Sequence, residues 1–520
     1  MKELTTSVYS FADLIKGNFL YIDKTEYVWQ LIKPTKEMYF LSRPRRFGKS
    51  LLISTLEAVF KGQKELFKGL AIYDKPYDWK RYPVIHLDIN GRDLGTPEKM
   101  EERFRQMLVE QAEMNGVKLK KSSSDLMFHE LIKALHDSFG DVVVLIDEYD
   151  KPILDNVSKP NFAEYLNALK VFYSVIKEKS GMLRFAFITG VSKFSHVSIF
   201  SDLNNLTDIT LSSRYAGMLG FTEDEIRNAF ADRLPAAAIS NGVSEEELMG
   251  KILNWYDGYR FSEGDTHVCN PVSINKFFAN DFRFSNYWDS TGTPTFLLEL
   301  MGKQAYEPEK AFNDWYDESV FSAYEIQRLD ITGLLWQTGY LTIKDVRRDA
   351  DECQYRLDFP DREVRETFNR RLIEFFAGAD RSREAVSLVR QFRTALRNNE
   401  PAAFLTLLKA FLANIDYSLH IPQEKYYQTV FFVVFKLLGV WIEAESRTNE
   451  GRIDAYVRTS KAVYIFEFKL NKTARRAVAQ IIDRHYYEKF MGDGLPIRLF
   501  GVNFNSSKGQ ITNWEEKSSI

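Results

Sequence analysis

Short runs of consecutive apolar residues recur through the N-terminal part of the chain: residues 38–42 (MYFLS), 83–89 (PVIHLDI), 141–147 (DVVVLID) and 183–189 (LRFAFIT). Each has the length of a strand and is apolar at both alternating sets of positions, the pattern of a strand covered on both faces. Between them lie longer stretches with helical spacing, Leu51 to Phe60, Pro97 to Asn115 and Asn161 to Lys179. This alternation predicts a parallel sheet with helices, an α/β domain over residues 1–221. From residue 222 to 375 the pattern turns mostly helical with aromatic-rich interruptions, which predicts a helical middle region. A helical connector over 376–414, carried by Arg381 to Ala413, leads into a second α/β pattern over 415–520. The longest apolar runs, such as Val142 to Ile146 and Phe431 to Val434, fall far short of the roughly 20 residues that a membrane helix needs. No membrane partner is expected.

Charge narrows the function classes. Lys and Arg total 69 against 72 Asp and Glu, a net charge of −3, which excludes a uniformly basic nucleic-acid binder. Any such site must be a local patch. The last hundred residues, Ile421 to Ile520, carry 15 Lys/Arg against 11 Asp/Glu, so a basic excess does exist at the C-terminus. The two cysteines, Cys269 and Cys353, are too few for a disulfide framework or a Cys-rich zinc site, and a reduced, cytoplasmic chain is expected. Met1 to Thr6 has no apolar run behind Lys2, so no signal peptide is expected.

The first candidate chemistry follows strand 38–42. Arg43-Pro44-Arg45-Arg46-Phe47-Gly48-Lys49-Ser50 runs directly into an apolar helix and carries the second half of the phosphate-loop pattern GxxxxGK[ST]. Arg43 holds the place of the first glycine. Gly48 lets the backbone approach phosphates, and the helix N-terminus offers free N–H groups and a positive dipole end. Lys49 can reach the β/γ-phosphates and Ser50 can ligate magnesium, while Arg45, Arg46 and Phe47 complete the loop around ATP. The apolar strand Val142 to Ile146 then ends in Asp147-Glu148. An Asp at the end of a buried strand beside the loop would hold magnesium, and the following Glu would orient or deprotonate the attacking water. The next strand ends in Thr189-Gly190-Val191-Ser192-Lys193, where Thr189 would face the γ-phosphate. A further strand between the loop and the Asp-Glu strand is the order that additional-strand ATPases require.

These motifs, with Tyr21-Ile22-Asp23-Lys24-Thr25, Leu145 to Pro152 (LIDEYDKP) and Ile188 to Ser195 (ITGVSKFS), resemble bacterial AAA-ATPase-like proteins of the ASCE class. Phe200 to Leu206 (FSDLNNL), Trp255 to Tyr259 (WYDGY) and Tyr287 to Gly292 (YWDSTG) fit the same family. In that family an arginine in place of the first glycine is the usual form. Arg214 is a candidate arginine finger, although an ordinary surface arginine is the commoner account.

A second constellation lies near the C-terminus. Gly451-Arg452-Ile453-Asp454 opens one strand-like run, and Ala462 to Lys469 (AVYIFEFK) forms another after a short polar turn, a hairpin pattern. Alternation puts Glu467 and Lys469 on one face and Phe466 and Phe468 on the other, and Asp454 on the neighbouring strand can face the same pair. Two close carboxylates repel, and a divalent cation relieves the repulsion. Magnesium on Asp454 and Glu467 would polarise a phosphodiester, with Lys469 orienting or deprotonating the water. A solvated hairpin face with alternating charges is the plain alternative. GRID lies 13 residues before EFK, a helix pattern (Gln423 to Leu438) precedes, and a helix with Gln480 and then Tyr486 follows. The whole is similar to the PD-(D/E)xK nuclease fold, a restriction-endonuclease-like α/β domain. That resemblance implies Asp454, Glu467 and Lys469 as the catalytic set with magnesium or manganese, Gln480 and Tyr486 as a supporting pair, and Glu445 as an additional metal ligand, with Glu424 competing for that place. Apart from the resemblance, Lys472, Arg475, Arg476 and Arg484 fit one side of that helix region. A solvated helix face explains them as easily as phosphate contact, and the basic excess of the C-terminal region tips the reading toward the backbone of a nucleic acid, DNA by expectation.

The leading expectation is an ATP-hydrolysing protein coupled to a magnesium-dependent nuclease. The alternative is a regulatory ATPase whose C-terminal domain binds nucleic acid or protein without cutting. A translocase would need paired ATPase units, which a homo-oligomer of this chain would supply.

Overall fold

The computed structural model describes residues 2–90, 94–157, 159–193, 206–288, 314–321, 330–349, 352–377, 387–388, 391–392, 394–395, 398–413, 441–448, 451–505 and 510–518. The chain divides into two compact units, the first formed by Met1–Trp288 and Trp315–Val364, the second including Arg365–Ile520.

The first unit is built on strands β1 (Glu37–Ser42), β2 (Val84–Asp88), β3 (Val142–Asp147), β4 (Leu183–Gly190) and β5 (Leu206–Asp208), in the spatial order β2-β3-β4-β1-β5. All pairings are parallel. Every residue of β3 and β4 is buried, as a sheet with helices on both faces requires. The four expected strands are those observed, but the strand at 83–89, which lies between the loop and the Asp-Glu strand along the chain, is the edge strand β2. It is β4 that stands between the loop strand β1 and the acid-bearing strand β3, the additional-strand arrangement. Helices α1 (Phe11–Lys16) and α2 (Thr25–Ile32) precede the sheet, and α3 (Lys49–Phe60) follows β1 directly. The connections contain α4 (Pro97–Met114), α5 (Ser124–Phe139), α6 (Lys151–Leu154) and α7 (Phe162–Glu178). Thr96 caps α4 by accepting from the Lys99 N–H, with Pro97 in its first turn.

The middle of the chain packs within the same unit. Helices α8 (Glu223–Ala229), α9 (Leu234–Asn241), α10 (Glu245–Tyr256) and α11 (Pro271–Ala279) close a core of Phe230, Leu248, Ile252, Tyr256 and Phe277. A ribbon, β6 (Tyr259–Arg260) with β7 (His267–Val268), and an antiparallel sheet ordered β8 (Trp315–Tyr316), β10 (Glu352–Asp358), β9 (Thr342–Asp349) complete it. The YIDKT motif is scaffold. The Lys24 ammonium donates to Glu225, at 2.6 Å, in the capping box that opens α8, and to the Gly217 carbonyl at 2.7 Å. Asp23 accepts from the Thr25 hydroxyl and the Ala71 N–H, both at 2.7 Å.

The second unit carries a mixed sheet in chain order, β11 (Trp441–Thr448), β12 (Gly451–Arg458), β13 (Val463–Leu470), β14 (Ile497–Asn505) and β15 (Gln510–Ser518). Only β13 and β14 pair in parallel, and the helix Ala474–Asp483 makes the crossover between them. Tyr456, Val463, Ile465, Ile481, Phe490 and Leu499 form the core beneath it. The helix lies so close to β14 that a Cβ on Gly501 would sit 2.1 Å from the Ala474 carbonyl oxygen and 2.9 Å from the Ala477 Cβ. A rigid helix backbone cannot yield there cheaply. Gly501→Ala is therefore expected to destabilise this unit by roughly 1–3 kcal/mol, read as an earlier transition in thermal unfolding of the full chain. An unchanged melting profile would show that the helix is not seated on β14 in this way.

Candidate functional site

Between β1 and α3 the chain turns through two left-handed residues, Arg46 at φ 69° and Gly48 at φ 96°, and Lys49 opens the helix. The Lys49 ammonium is buried and donates to the carbonyl oxygens of Arg43 and Pro44, each at 3.0 Å. Burial lowers its pKa, and the nearby acids Glu148, Asp147 and Asp150 oppose that effect. Arg43 shows why a side chain replaces the first glycine. Its guanidinium is buried, donates to the carbonyls of Ser42 and Thr210, both at 2.8 Å, and lies 4.2 Å over the Phe261 ring. Burial pushes its pKa down to about 9. Arg43 is thus a strut fixing the loop to the segment after β5 and to the WYDGYRF stretch.

Other loop residues divide between scaffold and site. Phe47 is fully buried, edge-on to Tyr259 (4.7 Å) and Phe261 (5.4 Å), so its backbone alone faces the loop interior. Arg46 donates to the Tyr287 carbonyl at 3.0 Å. Arg45 is half-buried, and its charge adds to the lowering of the Lys49 pKa, which places it in the same electrostatic field. Arg214 uses its Nε to donate to Gln30 at 2.8 Å.

At the end of β3 the Asp147 carboxyl is 2 % exposed, and burial raises its pKa to about 6 against a hydrogen bond from Ser50 and the charge of Lys49. Asp147 Oδ1 and Thr189 Oγ1 are both buried without a hydrogen-bond partner among the described residues. An unpaired buried oxygen costs about 1–3 kcal/mol. Asp147 beside Lys49 and Ser50, with Thr189 at the end of the neighbouring strand, fits magnesium and a phosphate chain, for which a hydroxyl, a carboxylate and an ammonium are the ordinary donor set. Glu148 stands next, half-exposed, with φ 52°. Of the expected ATP residues, the structure gathers Lys49, Ser50, Asp147 and Glu148 and brings Thr189 to the end of the neighbouring strand.

In the second unit the GRID and EFK runs lie on adjacent antiparallel strands, with Ala455 opposite Phe466. Asp454 accepts from the Phe468 N–H at 2.8 Å, and the Lys469 ammonium donates to Glu467 at 2.9 Å. The Glu467 side chain is 1 % exposed and that of Lys469 13 %. Glu467 and Lys469 therefore meet on one face of β13, as alternation requires, and Asp454 is tied to the same strand through the Phe468 N–H. Hard carboxylate oxygens suit magnesium or manganese, and Asp454 and Glu467 are the two residues that would hold it. Glu445 stands on β11, whose pairs Ala444–Ala455 and Ser446–Ile453 put it on the rung of Asp454. Gln480 is half-exposed on the Ala474–Asp483 helix, whereas Tyr486 is buried in the apolar core with Tyr456 and Ile481. Lys472, Arg475, Arg476 and Arg484 are exposed. The Gln423–Leu438 helix pattern, Glu424, and the stretches Phe200 to Asn205 and Asp289 to Gly292 lie outside the described residues.

A phosphate loop capping a helix beside a buried acid, on a sheet of additional-strand order, defines a P-loop ATPase domain. The mixed sheet with its paired acids and lysine defines a nuclease-superfamily domain. The comparisons agree: residues 5–200 match the family described as predicted AAA-ATPase, and residues 422–514 match the PD-(D/E)XK nuclease superfamily. An "Uncharacterized protein in vnfD 5'region" of Azotobacter chroococcum mcd 1 is 36% identical over 532 residues, covering 99% of each chain. The chain belongs to this AAA-ATPase-like family with a C-terminal PD-(D/E)XK domain. The Aeropyrum pernix ORC2 protein, solved in ADPNP-ADP complexes, aligns with a TM-score of 0.26 at 13% identity over 66% of this chain and 89% of that one, too distant to carry an argument. Among the described residues no helix is long and apolar enough to cross a membrane.

Proposed function

We propose that the chain binds and hydrolyses ATP with magnesium at the loop site and cleaves nucleic acid, DNA by preference, at the Asp454–Glu467–Lys469 edge. The observation that carries the first half is the pair of unsatisfied buried oxygens at the ends of adjacent strands, Asp147 Oδ1, beside Lys49 and Ser50, and Thr189 Oγ1. The α3 N-terminus and Lys49 would receive the phosphates, with the ammonium exchanging its two loop carbonyls for phosphate oxygens. Ser50 and Asp147 would hold magnesium, which neutralises charge developing on the β/γ-phosphates. Glu148 would take the proton of the attacking water. In the second half, Asp454 and Glu467 would hold a divalent ion that polarises the phosphodiester, and Lys469, fixed on Glu467, would orient the water.

Glu148→Gln keeps the size of the side chain and removes its basicity. ATP turnover is expected to fall by roughly 10²–10⁴-fold while bound ATP accumulates, measured by filter retention of labelled nucleotide. Turnover equal to wild type would remove Glu148 from the reaction. The same variant tests coupling, since its plasmid cleavage with ATP should match the ATP-bound state if nucleotide governs the nuclease, and should be indifferent to ATP if it does not.

A further inference from the structure

The DEYD run contains a third acid, Asp150, to which the hydrolysis scheme assigns no task. It is 1 % exposed, and its carboxylate accepts three hydrogens from the segment leaving β4: the Ser192 N–H at 2.7 Å, the Ser192 hydroxyl at 2.6 Å and the Val191 N–H at 3.1 Å. The contact is close enough that a Cβ on Gly190 would sit 2.5 Å from Asp150 Oδ1. Tyr149 adds two more ties to the same segment. Its N–H donates to the Thr189 carbonyl at 3.1 Å and its hydroxyl to the Ser192 carbonyl at 2.9 Å. Tyr173 in turn donates to the Tyr149 carbonyl at 3.1 Å.

Glu148 sits between two fixed points. On one side the Asp147 carbonyl accepts from the Ile89 N–H at 3.3 Å, and on the other Tyr149 and Asp150 are bound to the β4 end. Its φ of 52° is a left-handed conformation, which costs a non-glycine residue about 1–2 kcal/mol and persists only where the surroundings impose it. The surroundings here are the bonds of Tyr149 and Asp150 to the β4 end. A buried carboxylate satisfied by backbone N–H groups and a hydroxyl is a costly device to retain for packing alone. Burial raises its pKa, and Glu148 adds to that rise.

We infer that Asp150 is a positioning residue for ATP hydrolysis, locking the Glu148 turn to the end of β4 so that Glu148 and Thr189 keep a fixed separation across the γ-phosphate. The inference rests on the ATPase reading above. It predicts a split between chemistry and binding. Asp150→Ala should lower kcat for ATP by roughly ten- to hundredfold, the penalty of a small misplacement of a reacting group, with the Kd of a non-hydrolysable ATP analogue changed less than about twofold. Asp150→Asn, whose amide oxygen still accepts from the backbone, should recover much of the loss. In the Glu148→Gln background Asp150→Ala should lower kcat no further, because the side chain it positions no longer acts.

A wild-type kcat in folded Asp150→Ala would overturn the inference, as would parallel losses of binding and turnover or a full additional loss in the Glu148→Gln background. If Asp150→Ala does not fold, Ser192→Ala removes only the 2.6 Å hydroxyl bond and should reduce kcat several-fold at constant Kd, and an unaltered kcat would likewise overturn it. Absence of hydrolysis in the wild type, with nucleotide still bound, would instead overturn the ATPase reading itself.

Discussion

Lys49→Ala is expected to reduce ATP hydrolysis by on the order of 10²–10³-fold, the cost of deleting one preorganised charge-stabilising donor. Binding should weaken too, by the roughly 1.5–3 kcal/mol that a hydrogen bond to a charged group contributes. The local geometry makes the fold insensitive to this change. The ammonium bonds to two loop carbonyls and is held at a desolvation cost, with three acids nearby to compensate. The loop itself is fixed elsewhere, by Arg43 on Ser42 and Thr210 and by Phe47 against Tyr259 and Phe261. Lys49→Ala should therefore melt close to wild type while failing to retain labelled ATP. Persisting hydrolysis would sink the phosphate-loop assignment, and a collapsed melting temperature would mean that Lys49 is a structural strut.

The contrast between Lys49 and Arg43 shows what a sequence can disclose. Lys49 and Ser50 are legible because phosphate chemistry requires their types at fixed spacing after a strand. The four buried strands are legible because an unbroken apolar run of strand length, bounded by helical patterns, suits a parallel sheet covered on both faces. Their spatial order, with β4 rather than β2 between the loop strand and the Asp-Glu strand, is set by the fold and is not readable from the order along the chain. Arg46, in contrast, reads as one more charge facing an anion, and Arg43 only as the residue in the place of the first glycine. Where they point depends on Thr210, Phe261 and Tyr287, residues brought close only by the fold. Tyr486 has the same character. Its neighbours Tyr456, Ile481 and Phe490 assemble from three separate elements, and nothing local distinguishes a core tyrosine from a supporting one. The three-residue strand β5 is too short to show a period. Asp150 left a faint signal, an acid three residues beyond Asp147 and a small-residue stretch, Gly190 to Ser192, after the next strand. Their partnership needs the positive φ of Glu148, which no pattern encodes.

At the other end of the chain, Asp454→Asn is expected to abolish metal-dependent cleavage while leaving the hairpin folded. The reason for preferring Asn lies in the bond from the Phe468 N–H to the Asp454 carboxylate at 2.8 Å. Asn retains an oxygen for that N–H and loses only the charge, so the β12–β13 edge should persist. Divalent-metal stabilisation of a phosphodiester transition state is worth several kcal/mol, and about 1.4 kcal/mol is tenfold. Cleavage of plasmid and single-stranded DNA in magnesium or manganese should accordingly drop by on the order of 10²–10³-fold. Glu467→Gln should be equally inactive but less stable, because the amide oxygen can still accept from the partly buried Lys469 at 2.9 Å while the charge that faces the ammonium is lost, and hydrogen bonds to charged groups contribute about 1.5–3 kcal/mol. The two variants together separate chemistry from folding. Loss of cleavage in both, with a lower melting temperature in Glu467→Gln alone, is the expected pattern. Equal cleavage by wild type and Asp454→Asn would show that this edge does not cut nucleic acid, and ATP hydrolysis continuing beside it would leave the C-terminal domain as a binding module governed by the ATPase.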